Sequence, residues 1–313
     1  MADLATYFDQ TGRHDRISGG VRMVPIDTPS GPFKVWTKRV GNNPTCKLLL
    51  LHGGPGGTHE YFEVFDSYLP AAGVEYYYYD QLGSAYSDQP DDPSLWEIDR
   101  FVDEVEQVRH ALDLGPDNFY LLGHSWGGIL ALEYALAHQS QLKGLIISNM
   151  MMSIPAYNGY AQEVLAPQLD PAALAEIRQL EADGKTEEPR YLELLAPYYL
   201  EHILRIPEAQ RPEPFTRMFS HLNPVVYTLM NGPSELGAIG TLRDWDRVAD
   251  LAKITVPTLS IGATHDTMDP EHMRMVAESV QRGSFLLCSD GSHCAMYDDP
   301  DPYFAGLITF LDP

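Results

Sequence analysis

Short apolar runs that stop abruptly on glycine or polar residues recur along this chain, with helical stretches between them. That alternation constrains the fold more than any other feature. The clearest case is KLLLL (47–51), a buried-strand pattern that runs straight into His52-Gly53-Gly54-Pro55-Gly56-Gly57. VEYYYY (74–79) stops at Asp80 in the same way, and segments 119–122 and 142–148 repeat the pattern. Apolar residues at 101, 102, 105, 108 and 112 place an amphipathic helix over 101–114, and 129–137 reads as a second helix. Strand and helix in alternation imply a mostly parallel sheet with helices on both faces, an α/β architecture. Segments 21–26 and 33–40 flank the turn-rich DTPSG and predict an early hairpin.

The rhythm breaks after residue 149. Segment 150–240 is rich in Leu, Glu, Ala, Tyr and Pro at helical spacing, and prolines at 155, 167, 171, 189, 197, 207, 212 and 214 are expected to cut it into short helices. Alternation then resumes, with a strand over 257–262, a helix over 271–279, a strand over 284–288 and a final helix over 303–311. The expected organisation is an α/β core of residues 1–149 and 241–313 interrupted by a helical cap of 150–240. A length of 313 residues fits one α/β domain with such an insertion.

Charge narrows the function. Lys plus Arg number 21 and Asp plus Glu 44, a formal charge of −23. Such a chain repels nucleic-acid phosphates and anionic lipid, so neither nucleic acid nor membrane is an expected partner. A cationic small substrate is favoured by the long-range field. Three cysteines without CxxC or metal spacing suit a reducing compartment. The polar opening segment 1–16 has no apolar core of a signal peptide, and no run of about 18 apolar residues occurs. A cytoplasmic protein is the expectation.

The sharpest motif is Gly123-His124-Ser125-Trp126-Gly127, between a strand and a helix. A G-x-S-x-G in that setting holds a serine hydroxyl above the sheet on a tight turn. A nucleophilic serine needs a base, and the base an orienting acid. Asp266 and His293 follow strands in the order serine, acid, histidine, on the rim that carries Ser125. Asp269 competes with Asp266, while His52, His124 and His265 compete with His293. An oxyanion hole needs backbone N–H groups. Trp126 supplies one, and Gly54, with Gly53 as rival, the other.

HGGPG followed by YYDQ, then GHSWGG, GATHD and GSHCAMYDDP, resembles the proline iminopeptidases, a branch of the α/β-hydrolase fold. The resemblance runs from about residue 20 and includes Asn231-Gly232-Pro233-Ser234-Glu235 in the cap. It implies a serine peptidase that releases an N-terminal residue, preferentially proline, from short peptides through an acyl-enzyme. It also implies no metal and no organic cofactor, with Glu235 binding the substrate's free amino group. Two departures stand out. Thr267 occupies a position that is acidic in relatives, and Leu82 and Ala85 replace the arginine and a glycine of the usual DQRGxGxS. The loss of an acid at 267 motivates an alternative, an amino-acid amide or ester hydrolase with the same triad. A non-catalytic binding protein on this fold is a third reading. The cap aromatics could line a pocket, and the sequence does not choose among them.

Overall fold

A computed structural model describes residues 3–12 and 17–313, and the polar opening segment lies partly outside them. Eight strands form one sheet in the order β1-β2-β4-β3-β5-β6-β7-β8. They are β1 (Val21–Thr28), β2 (Gly31–Val40), β3 (Lys47–Leu51), β4 (Glu75–Asp80), β5 (Phe119–His124), β6 (Gly144–Ser148), β7 (Thr258–Ala263) and β8 (Gly283–Cys288). The predicted hairpin is present: β1 and β2 pair antiparallel around the two residues between Thr28 and Gly31. β2 also runs antiparallel to β4, and every later pairing is parallel.

The apolar runs work as two-sided strands. Leu49 and Leu51 join Tyr77, Tyr79 and Leu121 in one core cluster, while Leu48 and Leu50 join Tyr76, Tyr78 and Leu122 in another. Period-two alternation thus feeds both faces of the sheet. α1 (Leu4–Tyr7) and α2 (Leu69–Ala72) are single turns. α3 (Ile98–Ala111) and α4 (Trp126–His138) contribute to the first cluster. The first of these begins three residues before the expected 101, and the second three before 129.

Between β6 and β7 lie α5 (Ile154–Tyr160), α6 (Pro171–Ala182), α7 (Pro189–His202), α8 (Glu213–His221) and α9 (Pro224–Met230). Half of the eight prolines start these helices rather than interrupt them. Pro155, Pro171, Pro189 and Pro214 each sit in a first turn, where the missing N–H costs nothing. Pro197 departs from the expectation, because it lies inside α7. Pro197 and Glu193, whose carbonyl loses its donor, are both exposed, so water can satisfy that group. Leu165, Ile177, Tyr191, Leu195, Tyr198 and Leu236 give this helical block a small core of its own. α10 (Pro270–Ser279) then covers the α3/α4 face, while α11 (Ala295–Asp298) and α12 (Pro300–Leu311) cover the other.

Polar contacts at two places help tie the helical block to the α/β core. Arg217 of α8 pairs with the fully buried Glu60 at 3.0 Å and with Glu63 at 2.7 Å. At the C-terminal end of α7, the carbonyls of His202 and Ile203 each accept a 2.9 Å hydrogen bond, from the N–H groups of His293 and Cys294.

The chain goes from β3 out to β4 and returns to β5 on the other side of β3, so the loops after β3 and β5 lie side by side at a switch point. Two glycines make the approach possible. A Cβ on Gly127 would overlap the Leu51 carbonyl, and one on Gly123 would overlap the Gly127 carbonyl. We expect Gly127→Ala to cost about 2–3 kcal/mol or more, because backbone must move to admit it. Urea unfolding measures this, and an unchanged midpoint would mean that the crossing tolerates a methyl group.

Candidate active site

Ser125 is the single residue between β5 and α4, at φ 56° and ψ −128°. A non-glycine residue in that region carries backbone strain of order 1–3 kcal/mol. The strain lifts Ser125 off the strand end and leaves it at the N-terminus of α4. Trp126 is the first residue of that helix, so its N–H has no intrahelical acceptor.

Asp266 and His293 meet as the sequence order predicts, with Nδ1 of His293 2.8 Å from Oδ1 of Asp266. Both are buried. This fixes Nδ1 toward the acid and leaves Nε2 as the nitrogen available to a partner. Burial disfavours the imidazolium. The Asp266 charge, its hydrogen bond and Glu235 outweigh that effect, so the pKa of His293 lies above the ordinary imidazole value. Asp266 is itself held by three neighbours. Asn149 Nδ2 donates to Oδ2 at 2.7 Å, the Met268 N–H to Oδ1 at 3.0 Å and the Thr267 hydroxyl to Oδ1 at 3.3 Å.

The competing residues have other occupations. Asp269 caps α10, accepting the Glu271 N–H at 2.9 Å. Burial pushes the pKa of His124 down to about 3 and that of His52 down to about 4, so both rings stay neutral. His124 accepts from the Tyr61 hydroxyl at Nδ1 (3.0 Å) and donates from Nε2 to the His293 carbonyl (2.8 Å). His265 lies 3.3 Å from Glu201. The Gly53 N–H donates to the Tyr61 hydroxyl at 2.8 Å and is therefore spent. Gly54, at φ +117°, lines a cavity with Ser125 and Trp126.

Gln81 is a positioning residue that sequence reasoning did not single out. Its Nε2 donates to the His52 carbonyl at 3.1 Å, and its Oε1 accepts from the Trp126 indole at 2.9 Å. It thus links the glycine loop to the first residue of α4. The DQ segment was visible in the sequence, but the partners of its glutamine were not. Asn149, at φ 54°, was likewise missed.

Two cavities meet at Ser125. The smaller, about 10 Å³, is bounded by Gly54, Ser125, Trp126, Met150, Met268 and Glu235. The larger, about 290 Å³, also touches Gly54, Ser125 and Glu235, and adds His293. Glu235 sits among tyrosines. Tyr157 and Tyr198 donate to its backbone carbonyl at 2.7 and 3.0 Å, and its N–H donates to the Tyr199 hydroxyl at 3.4 Å. Tyr227 donates to Oε1 at 2.5 Å. These are the cap aromatics the sequence could not choose. Thr267 is buried against the Asp266–His293 pair, its hydroxyl 3.4 Å from Nδ1. No group of His, Cys, Asp and Glu suited to a metal occurs among the described residues. No helix there is long and apolar enough to cross a membrane.

A serine at a strand–helix turn, beside a buried acid–histidine pair on a parallel sheet, defines an α/β-hydrolase. The alpha/beta hydrolase fold model matches residues 47–300, and the chain belongs to that family. It is 56% identical to the proline iminopeptidase of Flavobacterium johnsoniae, over 93% of this chain and 97% of that protein. Among solved structures, VinJ superposes with a TM-score of 0.86 at 29% identity, covering 93% of this chain and 98% of that one. The proline iminopeptidase of Mycobacterium smegmatis gives 0.82 at 30%, covering 93% and 97%. Within the α/β-hydrolases, the chain is a member of the proline iminopeptidase family.

His293 should titrate above about 6.5 by NMR, and Asp266→Asn should move it down by removing the two raising interactions that Asp266 supplies, its charge and its hydrogen bond. A His293 pKa unmoved by that substitution would contradict the pairing described here.

Proposed function

We propose that this chain is a serine aminopeptidase that releases an N-terminal residue, preferentially proline, from short peptides. Its α/β core comprises residues 1–149 and 241–313, with 150–240 as a cap over the site. The observation that carries the reading is the position of Glu235, which borders both cavities at Ser125. A carboxylate there accepts hydrogen bonds from a protonated amine and offsets its charge. Tyr227 engages Oε1, which leaves the other oxygen for that amine.

In this mechanism His293 takes the proton from Ser125 Oγ as it attacks the carbonyl carbon of the first residue. The N–H groups of Gly54 and Trp126 hold the tetrahedral oxyanion. His293 then passes its proton to the leaving nitrogen, the C–N bond breaks, and an acyl-Ser125 ester remains. Water, deprotonated by His293, cleaves the ester and restores the serine. Asp266 keeps Nδ1 protonated and stabilises the imidazolium. The chemistry draws on side chains and backbone alone, without a metal or organic cofactor. Three buried free cysteines suit a reducing, cytoplasmic setting.

The amide or ester alternative keeps a specific motive. With Thr267 turned onto the Asp266–His293 pair, one carboxylate rather than two serves the amine on this side of the site.

Hydrolysis of Pro-β-naphthylamide and its N-acetyl form, with Ser125→Ala as blank, separates the readings. Only the free-amine substrate should turn over, and Ser125→Ala should abolish turnover without changing the melting temperature. Glu235→Gln should lower kcat/KM about 10- to 100-fold for the free amine, the value of one hydrogen bond to a charged group. Cleavage of both forms alike would assign the site to a less selective amidase or esterase. In the pH profile of kcat/KM, activity should fall as acidification protonates His293, with a limb above about 6.5.

A further inference from the structure

The two cavities are divided by chemistry as well as size. His293 lines the larger one and is absent from the lining of the smaller. The imidazole protonates the leaving nitrogen, so the peptide beyond the scissile bond must lie on the His293 side, in the larger cavity. The smaller cavity has room for about one water, so the first residue lies in the larger cavity too, on the Glu235 side of Ser125. This step rests on the reading of Ser125 and His293 given above.

The larger cavity has a distinctive wall. Ile203, Phe215, Met218, Phe219 and Leu222 make it apolar, and Leu192 and Phe219 are exposed where it opens. Its acids are Glu235 beside Ser125 and the exposed Glu187. His124, also in the lining, is kept neutral by burial. Neither lysine nor arginine lines it among the described residues. With Glu235 engaged by the substrate's amine, a leaving group that brings a negative charge here loses water, gains no cation and meets the Glu187 carboxylate.

The consequence concerns the second residue of the substrate. In a dipeptide its free carboxylate lies only about 4 Å from the scissile carbon, well inside the cavity. In an amide, or in a longer peptide, the same position is a neutral amide.

We infer that the leaving-group cavity selects an uncharged, apolar second residue in amide linkage and discriminates against dipeptides with a free C-terminal carboxylate. The preferred substrate class is thus the tripeptide or longer peptide, or the dipeptide amide, with a large apolar second residue. An acidic second residue is disfavoured for the same reason.

Steady-state kinetics on two isosteric pairs test this. Pro-Phe-NH2 should exceed Pro-Phe-OH in kcat/KM by about tenfold or more, and Pro-Gln-NH2 should exceed Pro-Glu-NH2 similarly, because the disfavoured member buries an unpaired charge. Glu187→Lys, an exposed charge reversal, should narrow both ratios. Pro-β-naphthylamide run alongside distinguishes the two levels of inference. If it is not cleaved either, the aminopeptidase reading fails. If it is cleaved while the ratios lie near one, or while neither peptide of a pair is cleaved, the cavity assignment is overturned.

Discussion

Gly127 on α4 packs against the Leu51 carbonyl at the end of β3, and Gly123 packs against the Gly127 carbonyl. The separation of these backbones sets the position of Ser125, which stands between Gly123 and Gly127. It also sets the height of the glycine loop that follows Leu51. A side chain at either glycine would push the nucleophile and the proposed oxyanion donors apart together. The nearby hydrogen bonds of Gln81, to the His52 carbonyl and the Trp126 indole, act on the same two elements. Steric closeness makes the approach and polar contacts fix its register.

Charge placement then divides the work. Asp266 is surrounded by donors, and Glu235 by phenols that burial keeps protonated. The first carboxylate faces an imidazole and the second borders both cavities at Ser125. Thr267, beside Asp266, adds a hydroxyl to the acid–histidine pair where relatives are expected to place a charge. The acidity of the whole chain, −23, attracts cations at long range.

The legible parts of the sequence were the local ones. The hairpin, the KLLLL strand and the serine turn each depend on residues within a few positions of one another, where periodicity and glycine chemistry operate. Asp266 and His293 were legible because chain order and strand ends constrain them. Asn149 and Tyr61 were not, since their partners lie far along the chain: Asp266 is 117 residues from Asn149, and His124 is 63 from Tyr61. Helix starts were read late at α3 and α4 because the apolar periodicity does not mark the first turn. Pro197 was read as a break because sequence does not tell which helix face water reaches. The tyrosines around Glu235 could be counted but not chosen, because their selection is a matter of packing between helices.

The stitching of the helical block to the sheet has a mechanical meaning. Carbonyls at the C-terminal end of α7 hold the backbone of His293 and Cys294, and α8 is anchored through Arg217 to Glu60 and Glu63. Lifting α7 away would drag the base out of register, and lifting α8 would strand a buried carboxylate. Neither helix can serve as a swinging door without disabling the machinery beneath it. An opening of the helical block that spared both sets of contacts would have to come from its other helices.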